Sequence, residues 1–173
     1  MLKIKPLFKI TAFHTSWKAN FAKNHLFAGE SHNFWEMVYV TGGKLCVSKN
    51  EKVYEVEPGN AVFFAPMEFH SMWNNDEAPA EFIILSFSLD RELSSTLSDG
   101  VFKITKTEEK LINSVRTIYR STRDLPDKFS SQLAANRMEE LILLLLQNQS
   151  PEKKYHISIG ATNYNRIISF LYA

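Results

Sequence analysis

The stretch HNFWEMVYVTGGKLCVSKNEKVYEVEPGNAVFFAP, residues 32–66, decides the fold of this chain of 173 residues. Short runs of β-branched and aromatic residues alternate there with turn residues, and apolar residues at helical spacing are absent. The same pattern extends outward from about Ile4 to Asp90, where Phe8, Phe13 and Trp17 belong to a predicted edge strand. Residues 1–100 are therefore predicted to form an antiparallel sandwich or barrel.

Two turn signals divide this stretch into four predicted strands. Gly42-Gly43 lies between FWEMVYV (34–40) and KLCVS (44–48), and this arrangement predicts a hairpin. Pro58-Gly59-Asn60 predicts a second hairpin between the runs on either side of it, VYEVE (53–57) and AVFFAP (61–66). A further run, EFIILSFSL (81–89), is almost continuously apolar, which is typical of a strand covered on both faces.

The pattern becomes helical after Gly100. Residues 107–122 begin with a threonine and acidic residues suited to a helix start, and residues 127–149 form a longer helix. We therefore predict a helical pair over residues 101–149 that packs on the barrel and mediates dimerisation. Residues 150–160 resemble a linker, and residues 164–173 begin an amphipathic helix that we expect to open a further domain.

The second helix carries an apolar seam with two possible uses. Its members follow a 4-3-4 spacing, and residues 142–146 add apolar surface beside them. The seam either completes the domain's own core or pairs with its twin in a homodimer. We predict a dimer interface formed by Ala134, Met138, Leu141 and Leu145.

Charge and apolar patterning restrict the partners of the chain. With 20 basic and 19 acidic residues, the net charge of +1 gives no footprint for binding a phosphate backbone. No apolar run approaches the roughly 18 residues of a membrane span, and the N-terminal segment does not resemble a signal peptide. We therefore expect a cytoplasmic protein with no membrane partner and no DNA contact by this segment itself.

Polar residues of one strand face point to a candidate site. If the strand is regular, Glu30, His32 and Glu36 share a face with Phe34, whereas Trp35 lies on the opposite face. Phe64 and His70 have matching parity, so closing the barrel would bring His70 opposite His32. We predict a ligand-binding pocket formed by Glu30, His32, Glu36, Phe64 and His70. The same polar residues are equally consistent with a buried network that only orders the barrel.

Residues 28–90 resemble the cupin superfamily. The resemblance is carried by Glu30, His32, Glu36, Gly42-Gly43, Pro58-Gly59, Pro66, His70 and Asn74. Metal-binding cupins have a histidine where this chain has Glu30, so the usual three histidines and one glutamate become two of each. The resemblance implies a double-stranded β-helix, or jelly-roll barrel, followed here by two helices. We expect no metal cofactor. The alternative is iron, manganese or nickel held by His32, Glu36, His70 and Glu30.

A resemblance that covers nearly the whole chain is to the sensor half of bacterial AraC-type transcription regulators. It is carried by residues 32–72, by the apolar strand and two helices that follow, and by the helix opening at 164–173. The resemblance implies a small-molecule effector, a homodimer, and DNA binding only through a C-terminal domain absent from this chain. No catalytic residue is expected. The alternatives are a stand-alone metal-dependent cupin enzyme, an oxygenase or isomerase, and a structural dimerisation module with a filled barrel.

Overall fold

The computed structural model describes residues 1, 3, 5–50, 52–91, 93, 96–122, 127–148, 151 and 156–157. Within these residues, two five-stranded antiparallel sheets form a sandwich, and two helices cover one of them. The strands are β1 (Ile10–Phe21), β2 (Leu26–Glu30), β3 (Trp35–Gly42), β4 (Leu45–Lys49), β5 (Lys52–Val56), β6 (Asn60–Phe64), β7 (His70–Trp73), β8 (Ala80–Leu89), β9 (Val101–Lys103) and β10 (His156–Ile157). The helices are α1 (Lys106–Thr122) and α2 (Lys128–Asn148).

This architecture confirms the predicted fold class, a mainly β cupin-like jelly roll followed by two helices. The first sheet has the order β1-β8-β3-β6-β9, and the second has the order β10-β5-β4-β7-β2. Strand β1 lies at an edge, as predicted for the N-terminal run. Strands β2, β7 and β9 were not predicted. Because β9 pairs with β6, the barrel continues past the predicted boundary at residue 100.

Both predicted hairpins are wrong. Strand β3 pairs with β6 and β8, whereas β4 pairs with β5 and β7, so the chain changes sheets at Gly42-Gly43. It changes sheets again at Pro58-Gly59-Asn60, between β5 and β6. The hairpin of this region joins β4 to β5, with Lys49 opposite Lys52. A turn signal marks where the chain bends, but it does not say which strand the next segment pairs with.

The first of these crossovers depends on a glycine. Gly43 has a φ of 61°, and a Cβ atom added there would lie 2.2 Å from the Pro79 carbonyl oxygen. We expect Gly43→Ala to lower the free energy of unfolding by about 3 kcal/mol, because positive φ and a backbone clash coincide. Gly59 has a φ of 84° but nothing within 4 Å of such a Cβ, so Gly59→Ala should cost about 1 kcal/mol. Urea unfolding measures both losses, and equal losses would contradict the role given to Pro79.

The first sheet separates two apolar cores. Its inward side chains, including Val38 and Phe82, meet those of the second sheet inside the barrel. Its outward side chains, including Met37 and Leu85, pack under α1 and α2. The apolar run of β8 is thus covered on both faces, which confirms that prediction, and the outward position of Trp35 also agrees with its predicted parity.

Both helices begin close to where the sequence predicts. The Thr105 backbone N–H donates to the Glu108 carboxylate at 2.7 Å, and the Glu108 N–H donates to Thr105 Oγ1 at 3.4 Å, which is a capping box for α1. Asp127 caps α2 by accepting from the Ser130 N–H at 2.9 Å. Neither described helix is both long and apolar enough to span a bilayer. The predicted linker and final helix, residues 150–173, lie outside the described residues apart from 151 and 156–157.

Candidate functional site

The predicted site residues come together at one end of the barrel. Glu36 on β3 is paired with Phe64 on β6, and Glu30 at the end of β2 is paired with His70 at the start of β7. His32 lies in the segment between β2 and β3. One ligand atom from each of Glu30, His32, Glu36 and His70 lies within 4.8 Å of the others.

Glu36 is the centre of this cluster. Its Oε1 lies 3.5 Å from His70 Nε2, and its Oε2 lies 3.7 Å from His32 Nε2. Both distances are longer than a normal hydrogen bond. The Ser86 hydroxyl donates to Glu36 Oε2 at 3.0 Å. Among the described residues, Glu36 Oε1 and both Nε2 atoms are buried without a hydrogen-bond partner.

Backbone carbonyls fix the tautomers of the two imidazoles. His32 Nδ1 lies 2.9 Å from the Phe34 carbonyl, and His70 Nδ1 lies 2.9 Å from the Glu68 carbonyl. A carbonyl only accepts, so each Nδ1 carries a proton and donates. Each Nε2 is therefore turned toward Glu36, where it is available to a ligand.

Stacked rings hold the cluster in place. The Phe34 ring lies between two imidazoles, with its centroid 3.9 Å from that of His32 and 4.3 Å from that of His14. His70 stacks on Phe64 at 3.9 Å with an interplanar angle of 6°. Because each imidazole is packed against a ring and hydrogen-bonded to a carbonyl, its Nε2 has a defined direction before any ligand arrives.

The cluster is charged at neutral pH. Burial alone would raise the pKa of Glu36, but the interactions with His32, His70 and Ser86 outweigh it and lower the pKa to about 2. Burial opposes protonation of His32, yet the Glu36 carboxylate and the Phe34 carbonyl raise the pKa of that imidazole. Glu36 is therefore a carboxylate whose Oε1 has an open lone pair inside the barrel.

The cluster runs inward from the surface. Glu30 is exposed, His32 is partly buried, and His70 is fully buried. Beside it, a cleft of about 560 Å³ opens to solvent, and its walls include Phe34, Trp35, Ala65, Pro66, Arg91 and Ser98. Phe34 belongs to both features, since one face of its ring covers His32 and the residue also lines the cleft.

These side chains also fit a divalent transition metal. Two ligands about 2.1 Å from one ion lie roughly 3.0–3.5 Å apart, and the His70–Glu36 separation of 3.5 Å falls in that range. Metal-bound histidines normally donate their other ring nitrogen to a carbonyl or carboxylate, as both imidazoles do here. His32, Glu36 and His70 would be the ligands, with Glu30 at the exposed side.

The predicted dimer seam requires a correction. Ala134, Met138, Leu141 and Leu145 are buried inside the single chain, where they belong to the core between the first sheet and the helices. The seam therefore completes the domain's own core, which is one of its two predicted uses. None of these four residues lies on the surface of the chain. The apolar side chains of α2 that remain exposed are Phe129, Leu133 and Leu143.

One buried residue near the site was not predicted. Lys49 is only 2% exposed and lies at the end of β4, opposite His70 on β7. Leu45, Val47 and Lys49 alternate along β4 and share its inward face. The sequence pattern therefore contains the signal that Lys49 is buried. The pattern is easily overlooked, because a lysine at a strand end is ordinarily solvated.

Comparison with known proteins finds one matching family and several similar solved structures. The model of the family described as AraC-like ligand binding domain matches residues 19–146. No curated protein matches the chain. Similar solved structures include a predicted oxalate decarboxylase from Thermotoga maritima, 18% identical over 44% of this chain and 67% of that chain, with a TM-score of 0.43. Another is the cupin domain of an XRE family transcriptional regulator from Enterobacter cloacae, 20% identical over 46% of this chain and 93% of that chain, with a TM-score of 0.40. A third is a salicylate 1,2-dioxygenase from Pseudaminobacter salicylatoxidans, 14% identical over 41% of this chain and 21% of that chain, with a TM-score of 0.40.

Proposed function

The chain belongs to the family of AraC-like ligand binding domains, and from this premise we propose that it is the small-molecule-sensing and dimerisation domain of a bacterial AraC-type transcription regulator. One observation carries the proposal: among the described residues, Glu36 Oε1 and the Nε2 atoms of His32 and His70 are buried together without a hydrogen-bond partner. Buried polar atoms without partners are costly, so a ligand that pairs with them gains that free energy on binding. The chemistry is recognition, with no catalytic residue.

The site defines what the ligand must offer. Glu36 Oε1 accepts a hydrogen bond, and the Nε2 atoms of His32 and His70 are the two other buried atoms that a ligand can engage. Phe64 supplies an apolar surface under His70, and Glu30 lies at the entrance. A molecule with several hydroxyl or amino groups on a small frame satisfies these positions. Sensing then requires two arrangements of the domain to which the ligand binds with different affinities.

Calorimetry against a metabolite panel tests the sensing function. We expect at least one compound to bind the native chain with a dissociation constant below 1 mM, or roughly 4 kcal/mol of binding free energy. His70→Phe should weaken that binding at least tenfold, whereas His25→Phe should not, because His25 lies outside the cluster. Failure of every compound at millimolar concentration, with the chain folded, would count against a sensor.

We also propose a homodimer, mediated by the exposed flank of α2. Phe129, Leu133 and Leu143 are 75%, 45% and 41% exposed, and the helical repeat places them within one stripe of the helix. Apolar groups of this size gain free energy when a partner removes them from water. A second copy of the chain would supply an equivalent stripe, which gives a two-fold symmetric contact.

Two lysines in this stripe should produce monomers. We expect Leu133→Lys combined with Leu143→Lys to halve the mass measured by light scattering while leaving the unfolding midpoint of the monomer nearly unchanged. The control is Thr107→Lys with Asn113→Lys, which adds the same charge at exposed positions of α1. A dimer that persists in the first variant would place the interface elsewhere.

A metal-dependent cupin enzyme is the second candidate function, and the fixed tautomers of His32 and His70 favour it. A bound iron, manganese or nickel ion would supply Lewis-acid chemistry at the mouth of the barrel. Elemental analysis of the purified chain separates the two functions. One equivalent of metal, lost in His70→Ala but retained in His25→Ala, would favour the enzyme, and folded metal-free protein that binds an effector would favour the sensor.

A further inference from the structure

Lys49 is a buried cation that the proposed site does not use. It ends the inward row of β4, after Leu45 and Val47, and its side chain enters the barrel. Its ammonium group donates to the Phe63 carbonyl at 3.1 Å and also to the Ser98 carbonyl. An ammonium has three donors, so two backbone carbonyls leave one of them for another acceptor.

No carboxylate of the described residues lies within ion-pair distance of the Lys49 ammonium. The acids that act on it from further away have other partners. Glu68 accepts hydrogen bonds from the Ala65 N–H at 3.0 Å and from Asn50 at 2.8 Å, and Asp99 pairs with Lys52 at 3.2 Å. Aromatic rings offer partial compensation, since the ammonium lies 5.1 Å from the Tyr54 ring centroid and 6.0 Å from that of Phe64.

An unpaired buried charge is costly, and a bound anion would offset this cost. Burial lowers the pKa of Lys49 to about 8, against the opposing attraction of Glu68 and Asp99. The group therefore still carries its charge at neutral pH. Its position next to the proposed site follows from the pairing of Lys49 with His70, and the Phe64 ring lies close to both side chains.

Ser98 connects this ammonium to the cleft beside the cluster. The carbonyl of Ser98 accepts from Lys49, and Ser98 also lines the cleft together with Phe34 and Pro66. A ligand held in the cleft is therefore adjacent to the residue that contacts the ammonium. An anionic oxygen that took the place of the Ser98 carbonyl would replace a neutral acceptor with a charged one, and such hydrogen bonds are roughly twice as strong.

We propose that the effector is a small carboxylate that binds in this cleft and replaces the Ser98 carbonyl as the acceptor for Lys49 Nζ. The proposal rests on the sensing function above and specifies its ligand class. Phe34 lines this cleft and stacks on His32 of the Glu36 cluster, so the two features are neighbours.

This exchange also gives the two states that sensing requires. Without the carboxylate, Lys49 holds Ser98 against the barrel. Only two residues separate Ser98 from β9, and β9 leads through the Thr105 cap into α1. Releasing Ser98 therefore acts on the segment that enters the helical pair, and the bound state is favoured by the difference in affinity between the two arrangements.

Matched pairs of carboxylates and neutral amides test the proposal at pH 7. The probes are propionate with propionamide and benzoate with benzamide, titrated into the purified chain by calorimetry. We expect each carboxylate to bind at least tenfold more tightly than its amide. Lys49→Met should abolish this preference, whereas Lys18→Met should retain it, since Lys18 belongs to an exposed ion pair with Glu81.

The outcomes separate this proposal from the sensing function. Equal affinity for acid and amide in the native chain, or a preference that survives Lys49→Met, overturns the carboxylate proposal. A neutral metabolite from the panel that binds with unchanged affinity in Lys49→Met overturns it while supporting the sensor. Absence of all binding to the folded chain counts against both. If Lys49→Met does not fold, the affinities of the native chain for each carboxylate and its amide decide whether the carboxylate proposal stands.

Discussion

Glu36→Ala is expected to lower the free energy of unfolding by about 3–4 kcal/mol, because removing one partner of a buried charged cluster leaves the others unpaired. The two imidazoles face Glu36 at 3.5 and 3.7 Å, and the Ser86 hydroxyl donates to it at 3.0 Å. The measurement is urea unfolding at pH 6, after metal has been removed with a chelator. Ser86→Ala is the matched control, and the loss of its single hydrogen bond should cost about 1 kcal/mol.

The loss caused by Glu36→Ala should depend on pH. The pKa of Glu36 falls from an ordinary value of 4.5 to about 2 in the folded chain. Its stabilisation is therefore complete above pH 4.5 and disappears as the pH falls through about 2. The pKa of His32 is raised above 6.5, so its contribution is complete below 6.5 and is lost as the pH rises through the folded value. The difference in free energy of unfolding between the native chain and Glu36→Ala should therefore be largest between pH 4.5 and pH 6.5. An equal difference at pH 6 and pH 2 would contradict the buried pairing.

Leu141→Ala is expected to cost about 3 kcal/mol, as large-to-small changes in a filled core usually do. Leu141 is completely buried between the first sheet and α2, among side chains such as Met138 and Ile142. Leu143 lies on the same helix but is 41% exposed in the single chain, so Leu143→Ala should change the free energy of unfolding of the dissociated monomer by less than about 1 kcal/mol. Both variants replace a leucine of α2 with alanine, so the change in helix propensity is the same. They differ only in how deeply the leucine is buried.

Protein concentration distinguishes the two uses of the helix in this experiment. If Leu141 serves the core of one chain, the loss in Leu141→Ala is the same at all protein concentrations. A loss that shrinks on dilution would instead mean that Leu141 contributes to a dimer contact. Similar losses for Leu141→Ala and Leu143→Ala would contradict the assignment of opposite faces.

The alternation of side chains predicts much of the site from the sequence. The parity that separates Glu36 from Trp35 is a property of one strand, and the structure places one inside the barrel and the other under the helices. Phe64 follows the same rule on β6, where it lies opposite Glu36. The same rule is wrong for Glu30 and His32, which it places on one strand with Glu36, because Glu30 ends β2 in the other sheet and His32 lies between β2 and β3.

Strand pairing could not be predicted in this way, because it depends on contacts between distant segments. Gly42-Gly43 bends the chain, yet the partners of β3 are β6 and β8. Strands β2 and β7 are short and lie beside turns, so their apolar pattern is too brief to recognise. They nevertheless carry Glu30 and His70, and their pairing explains why these two residues meet.

The second helix shows a different difficulty. Its sequence contains more apolar surface than one contact requires, and either face satisfies the same spacing rule. The structure assigns the seam through Met138 and Leu141 to the core of the chain, and this leaves the stripe through Leu133 and Leu143 for a partner. Which face meets the barrel is decided by the fit against β1 and α1, and a single sequence does not contain that information.

Histidine NMR observes the proposed contact at the atoms concerned. The Nε2 resonances of His32 and His70 would be recorded in the metal-free chain, before and after addition of the panel compound that binds by calorimetry, with His25 as the internal reference. We expect both Nε2 resonances to shift as the compound saturates the chain, while those of His25 remain unchanged. Saturation without any change at His32 and His70, or a panel in which nothing binds, would contradict the proposal that this cluster receives the effector.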